Sequence, residues 1–373
     1  MAPIRIAFIG LSASRGWASN AHIPYLRQTT KYKIVGVCNS SKESSEAAIK
    51  KYELPSSTKA YGSPEELAED SDSFDLAVCS VRVDLHYPTV KAIVAKGKQC
   101  YVEWPLGKNF QEAEELHNIA VKAGNARTMV GLQGRRAPVV LKVKDVIASG
   151  AIGKVLSVNV RSSGGNLAQV DPVSLKMFND PEIGANMLSI HFGHLIDFVL
   201  YALGQELSSL SAALSTQRKN VQLKHPDGKL EDDVRRTPDQ ILLQGHLDDG
   251  AVLSVHQRGG SPFKDTPGLA WRIYGEKGEI EVTSDGSFLQ VGYGDSMVIK
   301  LHDHDKDEVK TIDWEVKDGY EGYPGPAQNV ARLYEAFADG RQEDYADWKQ
   351  AVARHRLLEK LEESSKTGAS VKL

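Results

Sequence analysis

The first third of the chain alternates short apolar runs, rich in valine and isoleucine, with longer amphipathic stretches. This alternation predicts strands and helices in turn, as in successive βαβ units. The apolar runs are nearly continuous, so both faces of each strand are expected to be buried, as in a parallel, doubly wound sheet. The predicted strands are 4–9, 34–38, 59–61, 76–79, 99–102 and 128–131. The predicted helices are 21–27, 41–52, 64–69, 87–96 and 111–123.

The pattern changes after residue 131, and it predicts a first domain over 1–131 and a second over 132–373. Residues 139–149 read as a helix closed by Gly150, and 155–163 alternate like a half-buried strand. After a long predicted helix over 186–203, short runs are joined by turns rich in Asp and Gly, which favours an antiparallel sheet. The runs are 241–247, 252–257, 272–274, 280–283 and 289–293. The polar stretch 231–238 is expected to be a loop, and the last helices are predicted over 327–338 and 348–365.

These elements predict an α/β protein with an N-terminal Rossmann-type parallel sheet and a C-terminal α+β domain built on a largely antiparallel, open sheet. The 373 residues suffice for two cores, and a content of 41% hydrophobic and 25% charged residues is ordinary for a globular protein. No run approaches the ~20 apolar residues of a membrane span, and no leader precedes the first strand, so we expect a soluble, cytoplasmic protein.

Charge excludes some partners. The formal net charge is only -4, and lysine and arginine are scattered along the chain, so neither nucleic acid nor a membrane is expected to bind directly. The three cysteines, Cys38, Cys79 and Cys100, lie at or beside the ends of predicted strands. This number is too small for a disulfide scaffold, and we expect buried thiols in a reducing compartment.

The first predicted strand runs into a turn that contains two glycines, Gly10 and Gly16, before a helix. Glycines after a first βαβ strand permit the tight turn and close approach that a pyrophosphate needs. The turn departs from the G-x-G-x-x-G pattern because Ser12 stands at the second glycine, so a purely structural turn remains an alternative. The candidate cofactor-binding residues here are Gly10, Ser12, Ser14, Arg15, Gly16 and Trp17.

The end of the second predicted strand carries no acid to accept hydrogen bonds from an adenosine ribose. It reads Asn39, Ser40, Ser41 and Lys42, whose hydroxyl and ammonium groups suit a ribose 2′-phosphate. The sequence therefore favours NADP, with NAD as the alternative. The serines can equally cap the helix that follows, with Lys42 solvated.

Several short motifs along the chain are similar to those of a known enzyme family. They are Val83-Asp-Leu-His86, Tyr101-Val-Glu103-Trp104-Pro105-Leu-Gly107, Gln133-Gly-Arg135-Arg136-Ala-Pro138, Gly150-Ala-Ile-Gly153 and the Gly-Glu-Lys-Gly run from Gly275 to Gly278. Together they resemble the glucose-fructose oxidoreductase and inositol dehydrogenase family over most of the chain. The resemblance implies a Rossmann domain and a domain whose open sheet forms the substrate site and the oligomer contacts.

Two departures from that family are informative. Its usual Glu-Lys-Pro motif places a lysine beside the substrate, where this chain has Trp104, and its frequent aspartate on the second-domain helix is replaced by Ile190. The family's catalytic histidine matches His194. Gly-Trp after the glycine turn, Glu103-Trp104 and the segment from Phe192 to Asp197 are similar to the fungal galactose-pathway repressor branch of the family, which implies a retained cofactor site with uncertain chemistry.

The candidate catalytic residues are His194, Asp197 and Trp104. Hydride transfer needs a group that takes the hydroxyl proton, and a histidine titrates in the right range. Asp197, three residues after His194 on one helix, could orient the imidazole, and Trp104 could stack on a ring or close a core. Each histidine could instead be a satisfied polar group on the helix face. His86, Glu103, Trp104 and Arg135 complete the candidate cofactor residues, and no metal site is expected.

Two functions follow from these features. The first is an NAD(P)-dependent oxidoreductase that acts on a sugar, a polyol or a related hydroxyl or carbonyl compound. The second, implied by the repressor resemblance, is a cofactor-binding transcriptional regulator that sequesters a protein partner without turnover. The resemblance also implies a homodimer or a higher homo-oligomer.

Overall fold

The computed structural model describes residues 2–14, 16–124, 126–164, 166–292 and 296–373. The chain forms two compact units. The first contains the residues up to Gln133 together with Asp318–His355, and the second contains Gly134–Lys317 together with Arg356–Leu373.

The first unit is built on a six-stranded sheet in which every pairing is parallel. Its strands are β1 (Ile4–Ile9), β2 (Tyr32–Cys38), β3 (Lys59–Tyr61), β4 (Leu76–Cys79), β5 (Gln99–Val102) and β6 (Thr128–Val130). Their spatial order, β3-β2-β1-β4-β5-β6, is that of a dinucleotide-binding Rossmann sheet and confirms the predicted architecture. Its helices up to residue 133 are α1 (Trp17–Ala21), α2 (Ile23–Leu26), α3 (Lys42–Lys51), α4 (Pro64–Glu69), α5 (His86–Ala95) and α6 (Phe110–Lys122).

The helix starts follow from local chemistry. The Ser41 hydroxyl accepts a hydrogen bond from the Ser44 amide at the start of α3, and the Ser63 hydroxyl does the same for Glu66 at the start of α4. Such N-caps satisfy amides that the helix itself leaves unpaired. Ser41 therefore caps helix α3, which is one of the two roles that the sequence allows for it.

The second unit carries a nine-stranded sheet in the order β17-β16-β15-β14-β7-β13-β12-β9-β18. All of its described pairings are antiparallel except β7 with β13, which confirms the largely antiparallel sheet. A smaller sheet has the order β11-β10-β8. The helices are α7 (Pro138–Ala148) and α8 (Gly193–Leu203). The strands are β7 (Val155–Ser163), β8 (Val170–Pro172), β9 (Leu207–Ser215), β10 (Asn220–Lys224), β11 (Leu230–Val234), β12 (Gln240–Leu247), β13 (Val252–Arg258), β14 (Leu269–Gly275), β15 (Gly278–Ser284), β16 (Val298–Asp303), β17 (Glu308–Ile312) and β18 (Val371–Lys372).

Two sequence predictions in this unit are wrong, and a third is confirmed as a helix that differs in its first turns. Residues 231–238 are not all loop, because β11 pairs with β10 from Leu230 to Val234. The acidic side chains of β11 lack the apolar pattern by which a strand is predicted. Residues 289–293 are not a strand, since Leu289–Val291 form a 3₁₀ turn; Tyr293 lies outside the described residues. The long helix over 186–203 is not uniform: Met187–Phe192 form a π-helical segment before α8 begins.

The last two helices are α9 (Gly325–Ala338) and α10 (Trp348–Thr367). The prediction that all of 132–373 belongs to the second domain is wrong for 318–355, which pack with the first unit. The reason lies in α9, which buries Val330, Leu333, Tyr334 and Phe337 in the same core as the β1 residue Phe8. None of the helices in the described ranges is both long enough and apolar enough to cross a membrane.

Candidate functional site

The glycine at the end of β1 is required by packing within the first unit. Gly10 has a φ of +85°, and a Cβ there would come within 2.5 Å of the Ser80 carbonyl oxygen. Only glycine allows the ends of β1 and β4 to approach so closely in this conformation. The glycine at this position thus has a structural cause in addition to any role toward a ligand.

Beyond Gly10, the turn is ordered by its own serines. The Ser14 amide donates to the Ser12 hydroxyl oxygen at 3.1 Å, and the Tyr52 hydroxyl donates to the Ser12 carbonyl oxygen at 2.7 Å. Gly16 precedes α1, which starts at the partly exposed Trp17. Arg15, predicted to contact the cofactor, lies outside the described residues.

At the end of β2, two of the four predicted residues remain available to a ligand. Asn39 donates to the Leu11 carbonyl oxygen at 2.9 Å, and the Ser41 hydroxyl is engaged as the N-cap of α3. Ser40 and Lys42 are exposed, and within the described part of the chain neither forms a side-chain hydrogen bond or ion pair. A hydroxyl and an ammonium group at the N-terminus of a ten-residue helix form a donor set that fits a phosphate.

Glu103, directly after β5, is a nearly buried carboxylate with two distinct oxygens. Its Oε1 accepts a hydrogen bond from the Tyr101 hydroxyl at 2.9 Å and lies 3.0 Å from His22 Nε2. Its Oε2 lies over Gly131, where a Cβ would come within 2.6 Å of it. Burial, followed by the charge of Glu103, raises the pKa of Tyr101 well above its ordinary value, so the phenol stays protonated.

Trp104 and His86 form a buried aromatic group at the same end of the sheet. The Trp104 ring lies 4.8 Å, centroid to centroid, from that of His355. His86 places Nδ1 2.8 Å from the Pro105 carbonyl oxygen and Nε2 3.1 Å from that of Val81. Burial lowers the pKa of His86, and a neutral imidazole carries one N–H, so one of these two contacts is a hydrogen bond. His86 therefore fastens main-chain segments together.

In the second unit, Arg135 and Asp197 bind each other. Arg135 Nε and Nη2 donate to the two Asp197 carboxylate oxygens at 2.9 and 2.7 Å. Both side chains are buried, at 4% and 1% exposure, and the guanidinium lies 5.2 Å from the centroid of the Tyr201 ring. The sequence predicts that Arg135 contacts a cofactor and that Asp197 orients His194, and the structure brings the two residues together as an ion pair.

The two histidines of this unit lie on either side of the change from π- to α-helix. His191 ends the π-helical segment and packs between the rings of Phe178 and Phe288, at 5.2 and 4.5 Å. Burial, together with the neighbouring His194, lowers the pKa of His191 to about 3, so it is neutral at physiological pH. His194 lies in the first turn of α8 and is also buried. π-Helical segments of this kind are frequent at functional sites.

The cysteines are buried, free thiols, as the sequence predicts. Burial raises the pKa of Cys38 and of Cys79 to about 12, so neither is a reactive thiolate. In the parts of the chain described above, no group of three His, Cys, Asp or Glu residues could hold a metal ion.

Comparison with known proteins places this site in a family. Residues 4–132 match the model of the oxidoreductase family with an NAD-binding Rossmann fold, and residues 138–284 match that of the Gal80p C-terminal domain. The chain is 31% identical over 379 residues to the dehydrogenase aclE of Aspergillus oryzae, covering 98% of this chain and 97% of that protein. The chain belongs to this oxidoreductase family.

Regulators are among the similar members of the oxidoreductase family. The galactose/lactose metabolism regulatory protein GAL80 of Kluyveromyces lactis is 33% identical over 301 residues, which is 78% of this chain and 65% of that protein, slightly under two thirds. A super-repressor mutant of Gal80p from Saccharomyces cerevisiae has a similar structure, with a TM-score of 0.90 and 26% identity, covering 100% of this chain and 99% of that one. Levoglucosan dehydrogenase in complex with NADH and L-sorbose shares the fold, with a TM-score of 0.79 at 19% identity.

Sequence reasoning missed three residues that build the oxidoreductase-family site in this chain. His22 and Tyr334 support Glu103, and His355 packs on Trp104. His22 follows the glycine turn closely enough to be suspected as a buried polar group. Tyr334 offers no such signal, because 312 residues separate it from His22.

Proposed function

We propose that the chain binds a nicotinamide dinucleotide and catalyses hydride transfer to or from a sugar, a polyol or a related hydroxyl or carbonyl compound. The supporting observation is the edge of the six-stranded sheet at which β1, β2 and β5 end. Sheets of this order bind ligands at the carboxyl ends of their strands. Here that edge offers the turn after Gly10, the donors Ser40 and Lys42, and the carboxylate of Glu103.

The donor set at α3 favours NADP over NAD. A 2′-phosphate would gain charge-assisted hydrogen bonds from Ser40 and Lys42, and NAD lacks the group that they would bind. We expect Lys42→Glu to raise the Kd for NADPH about 10-fold, which is ~1.4 kcal/mol, and to leave the Kd for NADH within about 2-fold. Lys33→Glu, an equal charge change at another exposed lysine, is the matched control. Equal losses for both cofactors would refute the preference.

His194 is the proposed acid or base of the reaction. The bound nicotinamide would accept or supply the hydride, and His194 would take the hydroxyl proton during oxidation or return it during reduction. The Arg135–Asp197 pair would then fix the helix that carries His194 instead of accepting its proton. We expect His194→Ala to lower kcat by about 10²–10⁴-fold with little change in cofactor Kd.

A regulator without turnover is the second candidate, and the polar groups of the site favour it. Trp104 replaces a lysine and is buried against His355, Ile190 replaces an aspartate, and the Asp197 carboxylate is committed to Arg135. These changes remove proton-transfer groups while leaving the dinucleotide edge intact. In this role the chain would act as a regulator, as the name of its relatives, galactose/lactose metabolism regulatory protein, suggests.

One experiment separates the two candidates. The purified protein is titrated with NADPH and NADH by fluorescence, and a panel of sugar lactones, keto sugars and aldehydes is then added to the reduced complex. Cofactor oxidation that depends on His194 would support the enzyme. Tight binding without turnover across the panel would support the regulator, and a failure to bind either dinucleotide would refute both.

The open face of the nine-stranded sheet is the proposed homodimer contact. Its centre is a cavity of about 540 Å³ whose lining is rich in small side chains, including Ser157, Ser209, Ser211 and Ser254, beside larger ones such as His246. Small side chains allow a second sheet to approach closely. We expect light scattering to show a dimer that Ser254→Arg dissociates and that Val121→Arg, on the exposed surface of α6, does not. A monomeric wild-type protein at micromolar concentration would refute this contact.

A further inference from the structure

Glu103 is supported from three different parts of the first unit. Tyr101 precedes it on β5, His22 lies between α1 and α2 directly after the glycine turn, and Tyr334 lies on α9. His22 has no exposed surface, and its Nδ1 lies 2.8 Å from the Tyr334 hydroxyl while its Nε2 lies 3.0 Å from Glu103 Oε1. The imidazole thus connects the junction of α1 and α2, the Glu103 carboxylate and helix α9.

The donor and acceptor atoms of Tyr334, His22 and Glu103 fit one consistent hydrogen-bonding order. Burial raises the pKa of Tyr334 well above its ordinary value, so its hydroxyl remains a donor. That hydroxyl can donate to His22 Nδ1, and in this tautomer the imidazole N–H is on Nε2, which lies 3.0 Å from Glu103 Oε1. The Nε2 contact is bent, which makes it an electrostatic contact more than a straight hydrogen bond. In this tautomer the donors run from Tyr334 through His22 toward Glu103 Oε1.

The other carboxylate oxygen is the one left for a ligand. Within the described residues, Glu103 Oε2 accepts no hydrogen bond, and the absence of a side chain at Gly131 leaves the space that it occupies. Carboxylates so placed accept hydrogen bonds from amide N–H₂ or hydroxyl donors, which are found on the carboxamide of a nicotinamide ring and on the ribose attached to it. Without its two anchors on Oε1, the carboxylate could rotate about its last bonds and lose this orientation.

We propose that His22 is a positioning residue for the dinucleotide: it acts through Glu103, whose Oε2 it holds toward the carboxamide N–H₂ of the nicotinamide or the hydroxyls of the attached ribose. The inference rests on the proposed cofactor binding. His22 and Tyr334 have no exposed surface, so in this proposal they affect the affinity for the cofactor indirectly, through Glu103.

The test compares dissociation constants for NADPH with the melting temperature of the free protein. His22→Leu removes the N–H toward Glu103 and is expected to raise Kd about 10-fold, or ~1.4 kcal/mol. His22→Gln keeps an amide donor of similar reach and should bring Kd back to within about 3-fold of wild type. Tyr334→Phe is expected to raise Kd by about 3-fold or more. The matched control is Tyr32→Phe, which removes a buried hydroxyl that donates to the Tyr334 carbonyl oxygen in the same cluster.

A double-mutant cycle shows whether His22 acts through Glu103. In a Glu103→Gln background, the effect of His22→Leu should fall below about 2-fold, because interacting residues are not additive. Full additivity, or a Kd for His22→Leu within 2-fold of wild type, would overturn the inference. If His22→Leu does not fold, Tyr334→Phe carries the same cycle with Glu103→Gln. A wild-type protein that binds neither NADPH nor NADH would refute the proposed function, and that result is distinct from every outcome of the cycle.

Discussion

The Arg135–Asp197 pair gives the sharpest stability prediction. Asp197→Ala would leave the Arg135 guanidinium buried, with the Tyr201 ring 5.2 Å from it and without its carboxylate. Removing one partner of a buried pair costs about 3–5 kcal/mol, because the remaining charge loses solvent as well as its partner. Replacing both partners with apolar residues of similar size is close to neutral. The single variant should therefore be much less stable than the double variant Arg135→Met/Asp197→Leu.

The assay is thermal unfolding followed by calorimetry. The protein has two units, so each transition is fitted separately and no single two-state midpoint is assumed. For a unit of about 150–250 residues, 1 kcal/mol shifts Tm by about 2–4 °C, so Asp197→Ala should lower the midpoint of the second unit by roughly 6–20 °C.

An exposed ion pair in the same unit provides the control. Arg272 and Glu281 pair across β14 and β15 at 57% and 30% exposure, and Glu281→Ala should cost no more than about 1 kcal/mol. Asp197→Ala melting within 2 °C of wild type would refute the reasoning. So would a double variant as unstable as the single one, because the loss would then come from packing and not from a stranded charge.

Three further predictions concern pH, the first unit and the thiols. Burial lowers the pKa of His191 from about 6.5 to about 3, so as the pH falls the unfolded chain binds a proton at this histidine before the folded protein does. The stability that depends on the neutral histidine is therefore present above pH 6.5, and the free energy of unfolding falls by roughly 2 kcal/mol by pH 5. His191→Leu should lose this part of the slope in urea titrations at several pH values, and an unchanged slope would contradict the assignment. Residues 1–133 expressed alone should give no cooperative melt by circular dichroism, whereas the same segment linked to 318–355 should, since α9 completes its core; a cooperative melt of 1–133 would disprove this dependence. The three cysteines should not react with an aromatic disulfide reagent at pH 8 until the protein is unfolded, and rapid reaction of the native protein would contradict their burial.

The sequence predicts the parallel sheet well because its signals are local. The continuous apolar runs of β1 and β4 have the bounds that the pattern gives, and Ser63 before Pro64 marks the start of α4. Burial on both faces leaves no room for polar residues in such strands, so composition alone reveals them.

The strands of the second unit are harder to predict from the sequence because they are half exposed. β9 is rich in serine and alanine, and β11 carries three consecutive acids, so neither has the apolar composition of a typical strand. Their pairing partners supply the stabilisation, and partners distant along the chain are not visible in a local pattern. The same limit applies to Glu103: its position after a strand is readable, but Tyr334, which contacts the His22 beside it, is brought in by tertiary packing.

The discontinuity of the first unit has a consequence for synthesis on the ribosome. Gln133 and Asp318 are consecutive in this unit but are separated in translation by the whole 134–317 segment. At about 5–20 residues per second, roughly 10–45 s pass between the emergence of β6 and the end of the segment that completes this core. During that interval the exposed face awaiting α9 is a natural target for chaperones, while the inserted unit can already begin to fold. We therefore expect the N-terminal sheet, although made first, to reach its final protease resistance late.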